Sequence, residues 1–255
     1  MEIPQLGFGT YRLRDHTANS VIHALHSGYT HIDTAPLYKN EGIVGSAINS
    51  SGIERRKIFL TTKISRKELK ENRIQESIEH SLRTMNQDYI DLVLLHEPID
   101  SIKNWELLGE YHSTIGKNKV RYIGVSNFRV NDLEKMTEIK YPYCNQIELN
   151  PFLQRDDVVE YCTQNNIRVV AHSPLAKGEK LGNQTLNHIA ETNNRTPAQI
   201  MLRWNTQNNH IVIPRSKNLK HIEENLDLDF EIPHNDMKQM KTLQCNYSTH
   251  PKYLL

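Results

Sequence analysis

The chain has 255 residues, with 31 Lys plus Arg against 30 Asp plus Glu and a formal net charge of +1. That balance lacks the concentrated basic excess of nucleic-acid binding domains, so no nucleic-acid partner is expected. Hydrophobic residues make up 37%, enough for a packed core, and no apolar run approaches the roughly 18 residues of a membrane span, so neither disorder nor a membrane partner is expected.

The first residues, MEIPQLGFGTYRLRD, contain no basic start followed by a long apolar stretch. A cytoplasmic location is the expectation. Cys144, Cys162 and Cys245 are odd in number and form no C-x-x-C pair, which reads as free thiols.

Short β-branched or aromatic runs recur along the chain at residues 5–9, 30–35, 58–64, 89–96, 120–125, 144–149, 167–172 and 211–214. Each reads as a strand, and polar amphipathic stretches separate them. After the first run, residues 17–26 read as a helix ended by Gly28, where a positive φ is useful. Between the third and fourth, residues 71–85 carry Ile74, Ile78 and Leu82 at helical spacing. Before the eighth, Thr196-Pro197-Ala198 offers an N-cap and a first-turn Pro, leading into Ile200, Met201 and Trp204. Strands alternating with helices imply parallel pairing, and eight such units in about 250 residues fit a closed α/β (β/α)8 TIM barrel. An open doubly wound sheet is the alternative. No linker or composition shift divides the chain, so one domain over residues 1–255 is expected.

A barrel gathers its chemistry at the carboxyl ends of its strands. Here Asp33 ends the second run with Tyr38 shortly after, Lys63 falls in the third, and His96 ends the fourth. Singly, each has an ordinary reading as a loop cap, packing or a solvated strand end. Together they form a proton-transfer set. A phenol with a pKa of about 10 is a poor acid at neutral pH unless its phenolate is stabilised. Lys63 would supply that charge, Asp33 would keep Lys63 ionised and oriented, and His96 would hydrogen-bond the reacting oxygen. No group in the set delivers a hydride, so a cofactor is implied. His23 with His26, or His188 with Glu191, fits no metal-binding pattern, and no metal is expected.

The motifs are G-F-G-T-Y at 7–11, H-I-D-T-A-P-L-Y-K-N-E at 31–41, L-T-T-K at 60–63, L-L-H-E-P at 94–98, I-G-V-S-N-F at 123–128, N-Q-I-E-L-N-P at 145–151, A-H-S-P-L-A at 171–176 and I-P-R-S at 213–216. In this order, over nearly the whole chain, the sequence closely resembles the aldo-keto reductase family. No G-x-G-x-x-G is present, so a Rossmann site is not expected. The resemblance implies a monomer that reduces small aldehydes or ketones to alcohols with NADPH, NADH being left open as a second nucleotide. It implies Tyr38 as general acid with its pKa lowered by Lys63 and Asp33, and His96 orienting the substrate carbonyl. Ser126, Asn127 and Gln146 would bind the nicotinamide amide, with Gly9, Thr10 and Asp33 also at the cofactor and His172 against the nicotinamide ring. Ser173, Pro174, Leu175 and Lys177 would follow the pyrophosphate. Ile213, Pro214, Arg215, Ser216 and Lys217 would lead to the adenosine 2′-phosphate, with His221, Glu224 and Asn225 near the phosphate and adenine. Tyr11, His96 and Glu97 would face the substrate.

Four departures from the family pattern set further expectations. His172 stands where an aromatic residue, most often Tyr, is usual, and ionisation near pH 6.5 would weaken NADP+ binding more steeply than NADPH binding. Glu97 stands where Trp is common, and on the pocket wall it would disfavour anionic substrates. His221 replaces a frequent Arg and weakens one phosphate contact. The tail is short, which suggests an open pocket. A nucleotide-binding scaffold or regulatory protein on the same fold is the alternative function. A glycosidase pair, Glu97 with Glu148, is not excluded by spacing, but the complete nucleotide-site resemblance argues against it.

Overall fold

The computed structural model describes residues 1–136 and 140–253. Its centre is one parallel sheet in sequence order: β1 (Phe8–Gly9), β2 (His31–Asp33), β3 (Phe59–Ile64), β4 (Ile90–Leu95), β5 (Val120–Ser126), β6 (Cys144–Glu148), β7 (Arg168–His172) and β8 (Ile211–Val212). The last strand returns to the first. Gly7 N donates to Val212 O (2.8 Å), Val212 N to Gln5 O (2.9 Å) and Gly9 N to Pro214 O (2.9 Å), closing a (β/α)8 barrel. All eight expected strands are present. At the seam β1 and β8 shorten to two residues each, and Pro214 has no N–H with which to extend the ladder.

The helices follow their local signals. Helix Thr17–Ser27 ends at Gly28 with φ 114°, and Thr196 caps helix Pro197–Gln207 by accepting from Gln199 N (3.2 Å). The helix expected over 71–85 begins instead at Ile74, because Asn72 turns left-handed (φ 53°) after the short helix Arg66–Lys70. Ile74, Ile78 and Leu82 still form its buried face. Among the described residues, no helix is long and apolar enough to cross a membrane.

Strand period two divides the side chains between two cores. Leu60, Ile64, Val93, Leu95, Ile147 and Ala171 point outward into the layer beneath the helices. Phe59, Leu92, Leu94, Cys144, Val170 and Ile211 point inward and fill the barrel. Continuing the inward register toward the carboxyl ends reaches Asp33, Lys63, His96, Ser126, Gln146, Glu148 and His172, so the parity that fills the barrel with hydrocarbon also converges its polar groups on one rim.

Helix Glu41–Ser50 approaches the end of helix Ile74–Met85 closely at Gly45, where a Cβ would collide with the Met85 backbone. A backbone atom cannot swing aside. Gly45→Ala should destabilise the fold by at least about 2 kcal/mol in urea denaturation, the scale of an overpacked contact. At Gly42, in the same helix, the nearest atom to a Cβ lies at 3.5 Å, and Gly42→Ala should be neutral or slightly stabilising by the same measurement.

Candidate active site

The rim is built around one buried ion pair. Lys63 Nζ donates to Asp33 Oδ1 (2.5 Å) and to Thr34 O (3.1 Å), and Gln146 Nε2 donates to Asp33 Oδ2 (2.8 Å). Lys63 and Asp33 are each 1% exposed. Tyr38 comes from a 3-10 turn, Pro36–Tyr38, that follows β2 and ends at left-handed Lys39. Asn40 ties this turn to the first strand loop, donating to Thr10 O (2.9 Å) while accepting from Thr34 Oγ1 (3.1 Å). The Tyr38 ring lies with its centroid 5.2 Å from Lys63 Nζ and meets the His96 ring edge-on at 6.2 Å.

Burial and charge set the protonation states. Burial alone would push the Lys63 pKa down, but Asp33 and the Tyr38 phenol reverse this and the net shift is upward, keeping the ammonium charged. Burial also pushes Tyr38 up, to about 12, against the opposing Lys63 charge. The expected lowering by Lys63 is thus present in direction but outweighed, and the phenol keeps its proton at neutral pH. His96 is pushed well below 6.5 by burial first and by Lys63 second, so its imidazole is neutral.

Asn127, left-handed at φ 63°, joins two histidines. Its Nδ2 donates to His96 O (3.0 Å) and Ser126 Oγ (3.1 Å), and its Oδ1 lies 3.0 Å from His172 Nε2. A carbonyl only accepts, so Oδ1 must face His172, and His172 carries its proton on Nε2. Burial pushes the His172 pKa down to about 3. This corrects the expectation of ionisation near pH 6.5: His172 is neutral across the physiological range.

A cavity of about 660 Å³ opens over these groups. Its lining includes Gly9, Thr10, Tyr11, Asp33, Tyr38, His96, Ser126, Asn127, Gln146 and His172. It continues along Ser173, Pro174, Leu175, Lys177, Ile213, Pro214, Arg215, Ser216, Lys217 and His221. Lys63 sits behind the lining, reaching the cavity through Tyr38 and Asp33. Glu224 and Asn225 are not in the lining; Glu224 pairs with Lys220 (3.6 Å) and Asn225 is buried. The loop after β7 holds Ser173, Ala176 and Lys177 at positive φ, a local strain typical of ligand-facing backbone.

The structure bears on three readings of the mouth. Glu97 is not a pocket wall: it is 4% exposed and accepts from Arg66 and from Lys252 Nζ (3.1 Å). The tail does not leave the mouth bare, because His250 and Lys252 from it line the cavity. Glu148 accepts hydrogen bonds from Ser248, Thr249 and His250, so neither it nor Glu97 presents a bare carboxylate for glycosidase chemistry. The sequence reading missed Arg12, Leu37, Gly178, Asn218, His250 and Lys252 in the lining. Arg12 was adjacent to a named motif, whereas the tail carries no periodic signal. Among the described residues, no group of three or more His, Cys, Asp or Glu side chains could hold a metal ion.

The fold and cavity define an α/β-barrel protein with a phenol, a buried ion pair and a cleft lined by basic side chains on one rim. The family model for the aldo/keto reductase family matches residues 5–244, and the chain belongs to that family, whose members include carbonyl reductases of varied substrates. It is 38% identical to a 9,11-endoperoxide prostaglandin H2 reductase of Trypanosoma cruzi, over 95% of this chain and 88% of the relative. It is also 38% identical to a glyoxal reductase of Bacillus subtilis, over 98% and 92%. Among solved structures, an aldo-keto reductase from a Medee basin deep-sea metagenome library superposes with a TM-score of 0.92 at 34% identity, covering 97% of this chain and 94% of that one.

Neutral buried histidines make the fold sensitive to acid. Burial lowers His31 and His210 to about 4 each, while an unfolded imidazole protonates near 6.5. Between those values the unfolded chain binds more protons, so stability rises with pH, and falls by up to about 1.4 kcal/mol per pH unit for each group as pH drops through the window. The unfolding temperature should be level from pH 7 to 8.5 and decline from 6.5 to 4.5 in scanning calorimetry. His31→Gln should make that decline shallower, and a midpoint unchanged down to 4.5 would contradict the assignment.

Proposed function

We propose that the chain, as a single barrel domain, reduces aldehydes or ketones to alcohols with NADPH, using Tyr38 as general acid. The observation that carries this reading is the buried chain Gln146–Asp33–Lys63 behind a protonated Tyr38 that faces a cavity beside neutral His96. A reduced nicotinamide nucleotide, when bound, supplies the hydride. As negative charge develops on the carbonyl oxygen, Tyr38 Oη gives it a proton, and the Lys63 ammonium stabilises the phenolate left behind. Neutral His96 retains one ring N–H to donate to the same oxygen. Asp33 holds Lys63 in place and charged, so the proton leaves from the phenol and not from the ammonium.

The cleft suits an anionic nucleotide. Among the described residues that line it, Asp33 is the one carboxylate, and it is bonded to Lys63 and Gln146. Arg12, Lys177, Arg215, Lys217 and His221 line the same cavity. Burial first, and then the Arg12 charge, lower the Arg215 pKa, a repulsion that a phosphate would relieve. Ser126, Asn127, Gln146 and His172 offer the neutral polar surface for a nicotinamide. The loss of a family arginine at His221 is offset in this reading by Arg215 and Lys217 at the 2′-phosphate.

Fluorescence titration should show saturable NADPH binding, tighter than NADH binding; folded protein that binds neither nucleotide would overturn the proposal. Tyr38→Phe should leave the NADPH affinity within about twofold and lower turnover of an aldehyde by at least about a hundredfold, the scale of general-acid loss. Because His172 stays neutral, the ratio of NADP+ to NADPH affinity should be constant from pH 8 to 5.5. Titration of the nucleotide phosphate affects both nucleotides and cancels in that ratio.

A further inference from the structure

Glu148 ends β6 on the inner face of the barrel, is 2% exposed, and spends both carboxylate oxygens on the C-terminal tail. Oε1 accepts from Thr249 N (2.8 Å) and Thr249 Oγ1 (2.5 Å). Oε2 accepts from Ser248 Oγ (2.6 Å) and His250 N (3.2 Å), with His250 Nδ1 at 3.8 Å. Burial would raise the Glu148 pKa, but the bonds from these tail residues win and hold it at about 2. Further tethers flank this knot: Lys177 Nζ donates to Thr249 O (2.8 Å), Lys252 Nζ to Glu97 (3.1 Å), and Lys180 Nζ lies 4.0 Å from the Tyr247 ring centroid.

The consequence is the position of one ring. His250 lines the cavity, meets His172 edge-on at 5.7 Å and leans on Tyr11 at 6.4 Å, while Tyr11 lies 5.0 Å from Tyr38. Tyr38, Tyr11, His250 and His172 thus form a continuous ring-lined wall beside the acid. A flat conjugated substrate meets such rings face-on or edge-on with a gain beyond area burial, which a short aliphatic carbonyl does not share.

We propose that Glu148 is a positioning residue that docks the tail, and that His250, delivered by it, is a specificity-determining residue favouring carbonyl compounds with a planar, conjugated or aromatic body. This rests on the carbonyl-reductase reading of the same cavity.

The test uses the full chain with benzaldehyde and propanal as substrates. His250→Ala should raise KM for benzaldehyde about five- to tenfold and for propanal less than about twofold, with kcat and NADPH affinity within about twofold. Glu148→Gln should give the same selectivity shift and speed amide hydrogen exchange at residues 248–252 at least about tenfold. The double variant should be no worse than Glu148→Gln, since the two changes remove one contact. Should Glu148→Gln fail to fold, Ser248→Ala with Thr249→Val removes the side-chain bonds from the tail side and should reproduce its effects. Equal KM changes for the two aldehydes would overturn the role of His250. Unchanged tail exchange, or additive effects in the double variant, would overturn that of Glu148. A wild-type chain that binds NADPH but reduces neither aldehyde would overturn the reductase reading and the selectivity with it, while the exchange measurement would still decide whether Glu148 docks the tail.

Discussion

An ammonium group stays charged inside a barrel only when a carboxylate meets it at bonding distance, and the Lys63–Asp33 contact at 2.5 Å satisfies that requirement. Much of the rim follows from it. Asp33 has a second oxygen to satisfy, and Gln146 bonds it, fixing the carboxyl plane from the opposite wall of the barrel. Lys63 has a proton left for the phenol of Tyr38. The Tyr38 turn must then be held at one height above the sheet, which Asn40 does by bridging Thr10 and Thr34. Breaking the pair by removing one partner would leave a buried charge unmatched, a strongly destabilising change, so the pair constrains the structure around it.

The same low-polarity surroundings explain why the titratable groups hold the states they do. Near Lys63 an imidazolium would be doubly penalised, by burial and by repulsion, and His96 and His172 are both neutral for those reasons. Around Tyr38 the cavity therefore presents a buried cation behind the phenol and the neutral imidazoles of His96 and His172. Asn127 couples the pair, bonding the backbone of one and the ring of the other. The imidazole at position 172 is accommodated because an amide acceptor orients it as a neutral donor.

Much of this was legible in the sequence because strand parity is simple. Each of H-I-D33, T-T-K63, L-L-H96, V-S126, N-Q146 and A-H172 sets an inward polar residue at or near the end of a buried run, and period two converges them on one rim. The eight strands were legible for the same reason, except at the seam, where pairing across the whole chain length decides how much of residues 5–9 and 211–214 joins the ladder. The break at Asn72 was not legible, since a polar residue before an amphipathic run reads equally as its first turn. Nor was the net pKa of Tyr38, which depends on how burial weighs against a single charge.

The tail shows a different kind of limit. Glu97 and Glu148 read as open carboxylates because Lys252 and the hydrogen-bond donors to Glu148 lie far along the chain, in a segment with neither hydrophobic period nor turn signal. Yet a carboxylate on the inner face at the end of a barrel strand faces a demand that the sequence does state. Buried there, it needs donors, and Gln146 on the same strand already spends its amide on Asp33 while His172 on the next strand spends its ring N–H on Asn127. The donors come from outside the barrel, from the chain after β8. Ser248, Thr249 and His250 supply hydroxyl and backbone donors in succession, the composition that two buried carboxylate oxygens require. By that argument the tail is held at the mouth by the unsatisfied valence of the rim, whose buried carboxylate selects a segment rich in hydroxyl and backbone donors.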